Sequence, residues 1–221
     1  MAMSESIKLL SIQVGCPRLV ACGGDERTAS ERWESAIWKV PVAGPVWVTR
    51  TNVVGDHQVA PQHGGPEMAV LAYGAEHYDR WRTEMGRDDI GPGGFGENFT
   101  IAGLDEEIVC LGDIYTVGSV RLQVAQPRTP CWKLERRWNQ PGLVERVLAT
   151  GRHGWFFRVL TEGEVVAGQR LRRIDRPLPA WPIARVAAIK HRRQHDPDAA
   201  AELAACELLA PDCRAALAKL A

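Results

Sequence analysis

The sequence predicts a mainly β chain with inserted helices, whose short strands curl into a closed or nearly closed barrel, followed by three small helices. Three observations carry that prediction. From residue 7 to about 173, short Val- and Ile-rich runs alternate with Gly and Pro, the pattern of many short strands. Two stretches interrupt it with helical spacing. A segment with three prolines, "DRPLPAWPIA", then precedes a tail dominated by Ala, Leu and Arg. This places a β-barrel unit at 1–176 and a three-helix unit at 177–221.

"IKLLSIQV" is the first strand. In "PVWVTRTNVV", Val46 and Val48 alternate with other side chains before "GDHQ" turns the chain. "PEMAVLAYGAEHYDRWRTEM" reads as a helix, with Pro66 at its first position and Tyr73, His77 and Trp81 spaced to share one face. "DEEIVCLGDIYTVGSVRLQVAQP" reads as two strands joined through Gly118 and Ser119. "PCWKLERRWNQ" is a short helix with Thr129 as its N-cap and Pro130 following, and "GLVERVLATG" adds a further turn or two. "WFFRVLTEGEVVAGQRLRRI" reads as another strand pair, turning at Glu162 and Gly163. The tail holds helical stretches at 183–194, 196–209 and 211–220, with Asp196-Pro197 capping the second and Pro211 opening the third.

With 45% apolar residues the chain can bury a sizeable core. Its 27 basic residues match its 27 acidic ones, so no overall field points to nucleic acid or an anionic membrane as partner. The start, "MAMSESIKLLSIQVG", has neither the basic opening nor the long apolar run of a secretory signal, and no window has the length of a membrane span. Cysteines stand at 16, 22, 110, 131, 206 and 213, without a C-x-x-C pair or zinc-finger spacing. Reduced thiols and a cytoplasmic setting are expected.

Among residues that could carry chemistry, Cys131 stands out. It lies near a helix start with Arg128, Lys133, Arg136 and Arg137 close in sequence, a setting that favours thiolate over thiol. The competing reading is a buried small hydrophobe, and local chemistry leaves the two open. Cys110 in a strand and Cys206 and Cys213 in the tail read as packing residues, while Cys16 and Cys22 flank an early loop. His63 precedes Gly64, Gly65 and a helix start in "HGGPEMAV", an arrangement that suits an anion or a plain Gly-Gly turn. "GPGGFGENFT" lacks both phosphate-loop and dinucleotide spacing, and is either a flexible loop or one that presents Glu97 and Asn98 at a site mouth. Arg158, in apolar company, needs a carboxylate or an anionic ligand. His57, His77, His191 and His195 show no ligand spacing and read as structural or surface residues.

Together, "VWVTRTNVVGDHQ…QHGGPEMAVLAYGAEHYDRW", "GGFGENFTIAGLDEE", "LGDIYTVGSVRLQVAQPRTPCWKL" and "GRHGWFFRVLTEGEVVAGQRL" resemble the MOSC-domain family, the molybdenum-cofactor sulfurase C-terminal domain. They cover roughly residues 7 to 174 and are most similar to its YiiM-like branch, whose small three-helix domain the tail also resembles. The resemblance implies a MOSC-type β-barrel that binds the molybdenum cofactor (molybdopterin). Cys131 is then the metal ligand and His63 its neighbour in an anion-accepting pocket. Gly64, Gly65, Asn98, Arg128, Arg18 and Arg158 are the implied cofactor-binding positions. The implied activity is reduction of N-hydroxylated compounds such as hydroxylated purines. Because no flavin, haem or iron–sulfur signature is present, an external reductase would supply electrons. A non-enzymatic carrier holding the cofactor or a persulfide on Cys131 is the first alternative, and a metal-free Cys–His hydrolase the second. The branch commonly has a glycine-basic-proline pattern after the first strand. This chain has "VGCPR", which leaves Arg18 reaching back or Cys16 acting as a second thiol. The tail is open to three readings: a surface for the electron donor, a homodimer contact, or a stabilising appendage. Its "KHRRQH" run reads as a solvated face.

Overall fold

The computed structural model describes residues 7–21, 32–60 and 63–221. Cys22 lies outside the described residues. The chain runs β1 (Lys8–Val14), β2 (Arg18–Ala21), β3 (Arg32–Ser35), β4 (Val40–Pro41), β5 (Val46–Val48), β6 (Val70–Gly74), α1 (His77–Met85), β7 (Phe99–Ala102), β8 (Ile114–Val117) and β9 (Val120–Pro127). It continues through α2 (Lys133–Trp138), α3 (Leu143–Thr150), β10 (Trp155–Thr161), β11 (Gly163–Val165), β12 (Arg172–Asp175), α4 (Ile183–Lys190), α5 (Pro197–Ala205) and α6 (Pro211–Leu217).

Eight strands form one sheet in the order β12-β8-β9-β10-β6-β7-β1-β4, and β11-β5 and β2-β3 form two small ribbons. Irregular registers in the β1–β7, β10–β9 and β12–β8 pairs deepen the twist, because an extra residue on one strand bends it. The sheet curls into a half-barrel and keeps two ends, β12 and β4, so the closed barrel expected from the strand spacing is not what forms. Hydrogen bonds from Leu9 to Gln169 (2.9 Å) and from Leu171 to Ile7 (3.0 Å) fasten β1 to the segment leading into β12. The side chains of Ile12, Phe99, Tyr115, Trp155 and Phe157 belong to the buried core of this curled sheet.

Two expectations need correction. The helix read over residues 66–85 is three elements: a single 3-10 turn at Pro66–Met68, then strand β6, then α1. All five residues of β6 are buried, and an unbroken apolar run looks the same in a buried strand and a buried helix. β6 pairs with β7 in parallel, and a parallel pair needs a crossover, which α1 provides. Tyr73, His77 and Trp81 still meet, though across a strand–helix contact. The rings of Tyr73 and His77 lie 5.2 Å apart, and Trp81 Nε1 donates to the Tyr73 hydroxyl at 2.6 Å. Second, β10 and β11 do not form the expected hairpin, because β11 turns away to pair with β5. Thr129 is not the cap of α2 either; that helix starts four residues later, at Lys133.

The two strands around Gly118 form the expected hairpin. All three tail helices are present, each shorter than the sequence suggests. Asp196 caps α5 by accepting from the Ala199 N–H at 3.0 Å, and Pro211 opens α6. Their apolar cluster includes Leu111 together with Trp181, Val186, Leu203 and Leu217. The Leu111 N–H donates to Trp181 and the Ala210 N–H to Ala125, so the helices are tied to the chain around β9. Among the described residues no helix is long and apolar enough to cross a membrane.

The Tyr73 hydroxyl bridges β6, α1 and the Arg152 carbonyl, accepting from Trp81 and donating to Arg152 at 3.0 Å. Tyr73→Phe keeps the volume but strands a buried N–H and a buried carbonyl. Its expected cost is about 1–3 kcal/mol in urea unfolding, and an unchanged midpoint would show that the bridge contributes nothing.

Candidate functional site

A cavity of about 330 Å³ opens beside the end of β9. The strand delivers Gln126 and Pro127 to its wall, and the chain beyond β9 adds Arg128 and Cys131. His63 and Gly64 line it from the segment before the 3-10 turn, and Asp56 and Lys39 from the loops around β4 and β5. Asn98 reaches it from the residue preceding β7. The half-buried Cys131 therefore shares a chamber with His63, Arg128 and Asn98, as the resemblance implies for these four positions.

Charge in the cavity is unevenly satisfied. Asp56 is buried and accepts from the Gly15 N–H at 2.7 Å, from Asn98 Nδ2 at 2.9 Å and from the Lys39 ammonium. A buried carboxylate needs this kind of enclosure to remain ionised. Lys133 donates to the Glu34 carbonyl at 2.9 Å. Arg128 is different. Only 6% of it is exposed, yet its Nη1 finds no hydrogen-bond partner among the described residues. Burial pushes its guanidinium down, and the nearness of Cys131, Tyr73 and Glu97 pulls it back. Partial burial, then the charges of Lys133, Arg128 and Lys39, push His63 below the usual histidine range. Neutral imidazole beside several cations marks the chamber as electropositive.

The glycine pair before Pro66 has two separate roles. Gly64 has φ +83°, a backbone conformation that strains any residue with a Cβ, and the tip of the Gln58 side chain lies over it. Gly65 combines φ 83° with ψ −179°, a region open to glycine almost alone, and faces open space. The turn that follows is three residues long, so it offers no helix dipole, and the helix N-terminus expected there is absent. Likewise α2 has six residues and begins two positions after Cys131.

Other expected site residues lie elsewhere. Glu97 is fully buried and accepts from the N–H groups of Gly93 and Phe95 and from the Tyr78 hydroxyl, so it braces the glycine loop from inside and is not at a mouth. Asn98 does line the cavity, but its carbonyl is used on the Leu71 N–H at 3.1 Å and its amide on Asp56, which makes it a strut of the wall. Arg158 pairs with Glu67 and Gln123 outside the cavity wall. Gly65 is not part of the wall, and Cys16 and Arg18 are exposed and do not line it. Cys110 forms an isolated bridge to Pro182 and is not part of a strand.

Beside the loop after the first strand, the cation that lines the cavity is Lys39. A Cβ on Gly15 would sit 3.0 Å from Lys39 Cδ, so the lysine lies against the loop of "VGCPR". Nothing in "WKVP" marks it as a site residue; only the fold brings it to Gly15 and Asp56. His57, which the spacing rules treat as structural, also lines the cavity. His77 is indeed structural, paired with Glu106 at 2.7 Å. The remaining unexpected member is Lys190, at the last residue of α4.

Comparison with known proteins gives a consistent result. A MOSC domain model matches residues 60–172, and a YiiM-like 3-alpha helix domain model matches residues 181–220. A Gibberella moniliformis protein named "Reductase" is 37% identical over 188 residues; the match takes in 84% of this chain but 32% of that protein's length. Bacillus subtilis YflK is 39% identical over 173 residues, covering 78% of this chain and 75% of YflK. The crystal structure of YiiM from Geobacillus stearothermophilus superposes with a TM-score of 0.80 at 34% identity, covering 97% of this chain and 98% of that one.

The wall also carries a pH dependence. His191 follows Lys190, and its ring approaches the Arg128 backbone. Burial, then Lys190 and His153, lower it from 6.5 to about 4. Its folded value lies below its unfolded one, so the unfolded chain binds the proton more tightly. The stability concerned is complete above about pH 6.5 and is lost as pH falls towards about 4. Thermal midpoints taken across that window should fall less steeply for His191→Gln than for wild type. Parallel curves would remove His191 from the account.

Proposed function

Since the chain belongs to the MOSC family, in the branch with a YiiM-like three-helix domain, we propose that it binds the molybdenum cofactor in this cavity and reduces N-hydroxylated compounds. The observation that carries the reading is the buried Arg128 guanidinium with an unmet N–H, in one chamber with the Cys131 thiol. An anionic group there would supply the missing acceptor, and guanidinium is the side chain best shaped for a phosphate. Among the described residues no set of three His, Cys, Asp or Glu side chains could hold a bare metal ion. That donor set suits a metal that arrives with most of its ligands and takes one soft thiolate from the protein.

In this reading Cys131 is the metal ligand. Arg128, with Lys133 and Lys39 on the same wall, would hold the cofactor's anionic part. The bound cofactor supplies the two-electron redox chemistry. Converting N–OH to N–H and water takes two electrons and two protons. The electrons come from an external reductase, and the name of the Gibberella relative agrees in reaction type. His63 stands at the chamber with a neutral ring, able to accept a proton from solvent and pass it inward. Asn98 and the enclosed Asp56 hold Lys39 and the loop of Gly15 in place. N-hydroxylated purines are the proposed substrate type.

Cys131→Ser keeps the volume and removes the soft ligand. In protein made in a host that synthesises the cofactor, it should lower molybdenum content to background and N-hydroxy reduction by at least about a hundredfold. Full metal and full turnover in the variant would refute the reading. Metal retained by wild type without turnover, given a competent reductase, would point instead to a cofactor carrier.

A further inference from the structure

The three C-terminal helices carry no catalytic motif, yet two of their side chains, Lys190 and Asp212, line the same cavity as Cys131 and Arg128. Lys190 ends α4, and its ammonium lies beside the buried Cys213 thiol of α6, whose pKa burial raises and Lys190 draws back. The next residue, His191, approaches the Arg128 backbone. Lys190 is thus fixed from three sides: by its own helix, by α6, and by the segment that carries Arg128.

The other cations of the chamber are already engaged. Lys39 is committed to Asp56, and Lys133 donates to the Glu34 carbonyl. Lys190 makes no ion pair among the described residues, even with Asp212 on the same wall. A half-buried lysine and a nine-tenths buried guanidinium with one unmet N–H thus line one space. An anion held in that space is attracted by both positive charges.

The geometry points to Lys190 as a ligand-binding residue that reaches the anion from the end of α4, so that the three-helix unit forms one wall of the site. The ligand class is a phosphate or phosphate monoester, small enough for the chamber and able to accept from both cations. This rests on the reading that the cavity holds an anionic group, and needs neither molybdenum nor turnover.

The test uses the full chain, made in a host that lacks the molybdenum cofactor, titrated with inorganic phosphate in a calorimeter at low salt. Wild type is expected to bind. Lys190→Met should weaken binding by about tenfold, the loss of one charge-assisted contact. Lys190→Arg should stay within about threefold of wild type, because it keeps the charge. Lys219→Met removes the same charge from the same unit outside the cavity, and should leave binding unchanged. If Lys190→Met does not fold, Lys190→Gln replaces it with the same expectation. No binding by wild type, equal binding by the Lys190 variants, or an equal loss in Lys219→Met would each overturn the assignment. If phosphate binds as expected while N-hydroxy reduction is absent from the metal-loaded protein, the proposed activity fails and the role of Lys190 stands.

Discussion

The cavity exists because one buried carboxylate holds its surroundings together. Asp56 gathers the backbone of Gly15 at the end of β1, the ammonium of Lys39 before β4, and the amide of Asn98 before β7. Asn98 in turn accepts from Leu71 in β6, so the network spans four parts of the sheet. An ionised group with side-chain exposure of 1% is tolerable only when donors surround it, which makes the geometry nearly all-or-none. Burial lowers the Lys39 pKa, and the contact with Asp56 opposes that fall. Without the cluster, the Gly15 loop would be held chiefly by the bond its carbonyl accepts from the His57 N–H.

Around that floor the protein gathers positive charge. Arg128, Lys133, Lys39 and Lys190 come from three different regions of the chain, and His63 is depressed by the first three of them. Convergent cations destabilise a folded chain by themselves, and a structure that retains them does so at a functional site more often than elsewhere. Binding an anion returns this stability by linkage, in proportion to how far ligand concentration exceeds its dissociation constant. A chamber built this way is more stable loaded than empty.

The sequence showed the architecture better than it showed the wiring. Strands whose apolar residues alternate, such as β5 with Val46 and Val48 buried and Trp47 out, declare themselves by period. So do helices with clear boundary signals, such as α5 behind Asp196. β6 did not, because a strand covered on both faces has no alternation to read. β11 broke away from β10 because pairing with β5 is a tertiary choice that no turn signal records. Of the residues that line the cavity, Cys131, His63, Arg128 and Asn98 could be picked out through the order of their motifs. Lys39 and Lys190 could not, since each sits in an ordinary local context and reaches the wall only through the fold.

Asn98 shows why motif and role separate. Its position matches the family pattern, and a reading from pattern alone assigns it to the ligand. Yet its carbonyl is on Leu71 and its amide on Asp56, so it works through others and positions the cavity floor. Glu97 goes further: hydrogen bonds from Gly93, Phe95, Tyr78 and Thr100 turn it inward, where it sets the glycine loop that Arg137 and Trp138 also grip through the Gly93 and Gly94 carbonyls. α2, which follows Cys131, is therefore anchored to the loop beside Asn98. The thiol-bearing segment and the Asp56 cluster are two ends of one braced unit, and a change in that loop would move the Cys131 thiol without touching it.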